Sequence, residues 1–178
     1  LSSIFSDNMV LQRDMAVPVW GTAKPGDEVT VRIAGQEVKG KGDDKGRGSV
    51  KLAAMPAGGP HEMSASNGTT VIFKNVMVGE VWFCSGQSNM QFSLKAAATA
   101  RKALANAGNH PDLRLLNITR KGTNAPWPWV MCNAGSAKDF SAVAFFFGRE
   151  LHEKLKVPVG LISSARGGTS IEVWTAKV

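Results

Sequence analysis

The sequence predicts an α/β chain in two parts. A small antiparallel β-sandwich covers residues 1–78, and a parallel sheet with helices on its faces covers residues 79–178. Three observations carry that reading. The first part is a series of short Val- and Ile-rich runs punctuated by Gly, Pro and Asp. The rhythm changes near Gly79 to strand, helix, strand, helix, strand, the grammar of a parallel sheet. The composition, 43% hydrophobic and 20% charged over 178 residues, is that of a globular protein of one or two domains and excludes a disordered or collagenous chain.

In the first part, the strand runs are MAVPVWG (15–21), EVTVRIAG (28–35), SVKLAAM (49–55) and TTVIFKNVMV (69–78). Lys24-Pro25-Gly26-Asp27, Gly42-Asp43-Asp44-Lys45-Gly46 and Pro56-Ala57-Gly58-Gly59-Pro60 separate them as turns. His61, beside the last of these, reads as a loop histidine. In the second part, VGEVWFCSG (78–86) is a compact apolar run ending in glycine, which suits a buried strand. Ser88 to Ala107, rich in Ala, Leu, Lys and Met, reads as one helix, and Asp112 to Ile118 as a second strand. A Pro/Trp loop (125–129) leads to a helix from about Ser141 to Lys156. Its stripe at three-to-four spacing is read as Val143, Phe147, Leu151 and Lys154/Leu155. VPVGLISSA (157–165) is the third strand.

Charge and cysteine usage narrow the function. Residues 1–79 carry 9 basic and 8 acidic side chains, whereas residues 80–178 carry 12 and 6. The excess could draw nucleic acid or an anionic ligand. The basic residues are scattered, however, with no run longer than Arg101-Lys102 or Arg120-Lys121, so a solvated surface is expected and no nucleic-acid partner. Two cysteines make neither a disulfide scaffold nor a zinc site. Cys84 is expected as a packed free thiol; a bridge to Cys132 stays open, and with it the redox compartment. No apolar stretch reaches the ~18 residues of a membrane helix. The opening LSSIFSDNMVLQRD shows no secretory signal, although one already removed would leave no trace.

Two segments carry chemistry. Gly86-Gln87-Ser88-Asn89-Met90 follows an apolar strand and opens a helix, at the strand end where open α/β sheets form their sites. A serine there sits near unpaired backbone N–H groups that suit the oxyanion of acyl transfer; it would equally serve as a helix N-cap. Ser163-Ser164-Ala165-Arg166-Gly167-Gly168-Thr169 also ends a strand, and in a parallel sheet its loop opens on the same edge. The two glycines can present bare N–H groups to developing negative charge; a flexible connection or a phosphate nest fits the same residues.

Taken together, the segments resemble a known family. Gly79-Glu80-Val81-Trp82-Phe83-Cys84-Ser85-Gly86-Gln87-Ser88-Asn89-Met90 resembles the first block of the sialate O-acetylesterases, carbohydrate esterases of the SGNH (GDSL-like) hydrolase superfamily. Phe140 to Leu151 resembles the family's helix. Val157-Pro158-Val159-Gly160-Leu161-Ile162, with Gly167-Gly168-Thr169, Ile171-Glu172 and Trp174, resembles its second block. Leu11-Gln12-Arg13, Val17-Pro18-Val19-Trp20-Gly21 and Pro25-Gly26 are similar to its N-terminal sandwich.

The resemblance implies an incomplete SGNH-type (flavodoxin-like) sheet behind a jelly-roll or Ig-like sandwich. It implies Ser88 as the nucleophile that takes acetyl from a sugar hydroxyl, a sialic acid or another acetylated glycan, and passes it to water. Backbone N–H groups of Ser88 and of the Gly167-Gly168 turn would form part of the oxyanion hole, with Gln87 and Asn89 shaping the loop. No metal or organic cofactor and no membrane partner is implied. The family's oxyanion amide and its activating Asp and His are expected beyond Val178, in the same polypeptide or a second chain, so this chain alone is expected to be inactive. Of the histidines present, His110 in His110-Pro111-Asp112 offers a His and an Asp but precedes the second strand, where the family has no catalytic histidine, and His152, in the 141–156 helix, reads as a surface or packing residue. The family often has Trp near positions 48 and 166, where Gly48 and Arg166 stand. Arg166 beside the site suits a substrate carboxylate or a plain surface role. By analogy the compartment is extracellular, periplasmic or lysosome-like. A competing expectation is a non-catalytic glycan-binding or scaffold module in which Trp127 and Trp129 stack on sugar rings, although loop tryptophans also commonly plug cores.

Overall fold

Alternation sets the first strands. In β2 (Val17–Thr22) the valines at 17 and 19 are buried while Pro18 and Trp20 face outward. The computed structural model describes residues 1–118 and 127–175, and its first half is sandwich-like. One sheet is the antiparallel pair β2 and β5 (Arg47–Leu52). The other carries β3 (Glu28–Ile33), β4 (Gln36–Lys41), β6 (Gly58–Ser66) and the start of β7 (Thr70–Gly86) in the order β4-β3-β6-β7. A short strand β1 (Val10–Gln12) lies parallel to β7. Val17, Val19, Val31, Ile33, Met63 and Val76 form the core between the sheets.

Strand β7 links the halves. The runs read as two strands, 69–78 and 78–86, are one strand of 17 residues. Up to Gly79 it pairs with β6 and β1; from Glu80 it pairs in parallel with β10 (Val159–Ala165). Gly79 makes this change of partner possible. A Cβ there would collide with the Pro158 carbonyl oxygen, which accepts the Glu80 N–H at 2.9 Å. Arg13 locks the crossing point, donating its backbone N–H to Gly79 and its Nε to Glu80 Oε1 at 2.7 Å.

The second sheet runs β7-β10-β8-β9, with β8 (Leu113–Asn117) parallel to β10 and β9 (Val130–Met131) antiparallel to β8. The last parallel strand in sequence thus lies between the first two. On one face a core of Leu94, Leu113, Leu115, Phe140, Phe145 and Leu161 meets the helices. The other face sends Leu116 and Ile162 into the sandwich core. Helices therefore cover one face of the sheet, not both as expected.

Two helical expectations are corrected. The single helix over 88–107 is instead α1 (Ser88–Gln91), a 3₁₀ turn at Leu94–Ala96 and α2 (Ala100–Asn106). The break comes where Phe92 and Leu94 leave the helix to bond Ala142 N–H and Phe140 C=O, so a tertiary tie overrides propensity. After α3 (Ala134–Lys138), helix α4 (Ala142–Leu155) follows the predicted span, with Ser141 Oγ capping the Ala144 N–H at 3.2 Å. Its inward face, however, is Ala144, Phe145 and Gly148; Val143, Phe147 and Leu155 are exposed. His61 belongs to β6, not to a loop. Trp129 is buried and donates its indole N–H to Ile4 O at 2.9 Å. It and Trp127 pack on the sandwich core, so of the two roles open to these loop tryptophans the structure supports core plugs and not sugar stacking. Among the described residues no helix is long and apolar enough to cross a membrane.

Candidate active site

The loops carrying the two chemical segments leave the sheet side by side. Gly86 and Ala165 are register partners at the ends of β7 and β10, and Arg166 N–H donates to Gly86 O at 3.0 Å. Ser88 is the first residue of α1 and is exposed to solvent. Gln87, at the N-cap position just before it, supplies the Oε1 that accepts the Ser88 hydroxyl at 3.3 Å. Met90 fixes α1 from below, packed on the second core with its sulfur 3.4 Å from Ser141 Oγ.

Gly167 lies over this hydroxyl. A Cβ on it would stand 3.5 Å from Ser88 Oγ and 2.8 Å from Gln91 Oε1, so a side chain would crowd the site. Its N–H donates to Gln91 Oε1 at 2.6 Å. Gly168 adopts φ +74°, a left-handed conformation that favours glycine. Thr169 Oγ1 closes the turn by donating to Arg166 O at 2.8 Å and accepts the Trp174 indole N–H at 2.7 Å. Arg166 and Asn89 are exposed beside the turn, and the Asn89 side chain bonds to none of the described residues. The exposed Glu172 carboxyl is held below its ordinary range, chiefly by a hydrogen bond from Ser170.

The structure thus brings Ser88, Gln87, Gly167, Gly168 and Arg166 to one strand-end edge, with Gln91 added. Sequence reasoning missed Gln91; its spacing of three from Ser88, one helical turn, was the available signal. The imidazoles lie elsewhere. His110 precedes β8 and His152 sits in the last turns of α4, both at the opposite end of the parallel strands, and His61 is in the sandwich. Among the described residues no group of three or more His, Cys, Asp or Glu is arranged to hold a metal. Cys84 and Cys132 are both buried free thiols. Burial raises each, Cys132 to about 12.

The chain as a whole has relatives among known proteins. The family model for carbohydrate esterase, sialic acid-specific acetylesterase, matches residues 78–177. The chain belongs to this carbohydrate esterase family. It is 33% identical to the sialate O-acetylesterase of Mus musculus over 99% of its length, and 33% identical to that of Homo sapiens over 98%. The crystal structure of a carbohydrate acetylesterase from Xanthomonas citri superposes with a TM-score of 0.91 at 32% identity, covering 98% of the chain. The esterase match takes in both site loops and the parallel strands, while the relatives also cover the sandwich. The chain spans 37% and 38% of the two curated relatives and 42% of the solved one.

Proposed function

We propose that this chain carries the nucleophile and part of the oxyanion hole of a serine esterase that removes O-acetyl groups from carbohydrates, sialic acids foremost. The observation that carries the reading is the exposed Ser88 hydroxyl on the same strand-end edge as Gly167, whose Cβ position lies 3.5 Å from Oγ. In the first step Ser88 Oγ attacks the acetyl carbonyl carbon as its proton passes to a base. The carbonyl oxygen becomes an oxyanion received by backbone N–H groups of Ser88 and the glycine turn. Collapse breaks the bond to the sugar oxygen, which leaves with the proton. Water then attacks the acetyl-serine, and acetate departs.

On this reading the base comes from outside the described residues, in the same polypeptide or a second chain, because His61, His110 and His152 all lie away from the strand-end edge that carries Ser88. The hydroxyl here donates only to an amide oxygen, and an unassisted serine is a weak nucleophile. Arg166, exposed beside the turn, suits the carboxylate of a sialic acid.

The test uses the native gene product with 4-nitrophenyl acetate and an O-acetylated sialic acid. Ser88→Ala is expected to lower kcat by about 10⁴-fold or more and to abolish fluorophosphonate labelling. Unchanged acetate release in Ser88→Ala sinks the nucleophile assignment.

A further inference from the structure

Ser88 and Gly167 stand on different loops, and one side chain ties the loops together. Gln91 ends α1 one turn after Ser88, and its Oε1 accepts the Gly167 N–H at 2.6 Å. The Cβ position of Gly167 is 2.8 Å from that oxygen and 3.5 Å from Ser88 Oγ, so amide, glycine and hydroxyl share one small volume. Gln91 is itself exposed, so core packing does not account for its placement. Its bond occupies the Gly167 N–H, whose single hydrogen cannot also align well with an oxyanion. Among the described residues the Ser88 and Gly168 N–H groups have no protein acceptor and remain as free donors.

From this we infer that Gln91 is a positioning residue for acyl transfer. Its amide sets the distance of the Gly167-Gly168 turn from the Ser88 hydroxyl and assigns the Gly167 N–H to structure. The inference rests on Ser88 being the nucleophile. Arg166 and Thr169 anchor the base of the turn, but Gln91 Oε1 joins its Gly167 amide to α1, so removing that acceptor lets Gly167 drift from Ser88, and displacements of an ångström in a reacting geometry carry large rate penalties.

Gln91→Met keeps length and shape and removes the acceptor. In the native gene product it should lower kcat about 10- to 100-fold. KM should stay within about threefold, because substrate binding away from the reacting carbon is untouched. The inhibition constant of a trifluoromethyl ketone, which forms a tetrahedral adduct on serine, should rise by the same factor as kcat falls. In the 178-residue chain, the Gly167 amide should exchange its hydrogen faster in Gln91→Met and stay protected in Gln91→Glu, which keeps an acceptor. Unchanged kcat and inhibitor affinity in Gln91→Met, with Ser88→Ala inactive, overturns the positioning role and leaves the esterase reading standing. A fall in kcat matched by a lowered Tm and an equal rise in KM also overturns it, since that pattern marks general loosening. Turnover by Ser88→Ala overturns the reading beneath both.

Discussion

His110 and His152 meet edge to face, ring centroids 5.8 Å apart, at the end of the sheet away from Ser88. Burial holds the His110 imidazole below its ordinary range; Glu153, 3.6 Å away, opposes this, while His152 and Arg149 add to it. A histidine lowered in the folded state favours the neutral form there. Its contribution is complete above the unfolded value of 6.5 and is lost as acidification lets the unfolded chain bind the proton first. The urea midpoint is therefore expected to fall between about pH 7.5 and about pH 5, and His110→Gln to flatten that slope. An unchanged slope in His110→Gln removes the assignment. At this scale the sequence singled out two candidate segments, because Gly86-Gln87-Ser88-Asn89-Met90 and Gly167-Gly168 are local patterns, and folding sets them side by side. It did not show that Gln91 reaches Gly167, a bond across 76 positions that only folding brings about.

Among the elements, periodicity located α4 closely and placed Leu151 on the core, but it misassigned Val143, Phe147 and Leu155. Val143 and Phe147 repeat at helical spacing, yet Gly148 lets the helix approach Leu161, and the inward stripe centres on Ala144, Phe145 and Gly148. Strands β4 and β6 were illegible because Lys, Glu, Gly and His dilute their alternation; partner strands, not composition, hold them. Strand β7 depends on one residue. Gly79→Ala places a methyl against the Pro158 carbonyl oxygen, a backbone atom with little freedom to yield. A loss of about 3 kcal/mol is expected in denaturant unfolding. A loss below about 1 kcal/mol means that the strand crossing relaxes more easily than its geometry implies.

For the whole molecule, the shared core matters most. Trp129, Leu116 and Ile162 come from the second half yet pack with Val19, Val31 and Met63 of the sandwich. Trp129→Ala should cost about 3–5 kcal/mol, and spectroscopic signals from both halves should shift together. Separate transitions would contradict a shared core. Along the free side of β7, beyond its pairing with β10, no described strand is paired, and Phe83 and Trp82 are 62% and 43% exposed. By itself the sequence determined the α/β class, the positions of several strands and of helix α4, and the esterase kinship, because these reside in local pattern and neighbouring residues. Only the tertiary structure decided that β7 is a single strand joining both halves, that Trp129 fills the core with Trp127 packed against it, and that Gln91 sits between hydroxyl and glycine turn. Each of these depends on contacts between residues far apart in the chain, whose energies no local window contains.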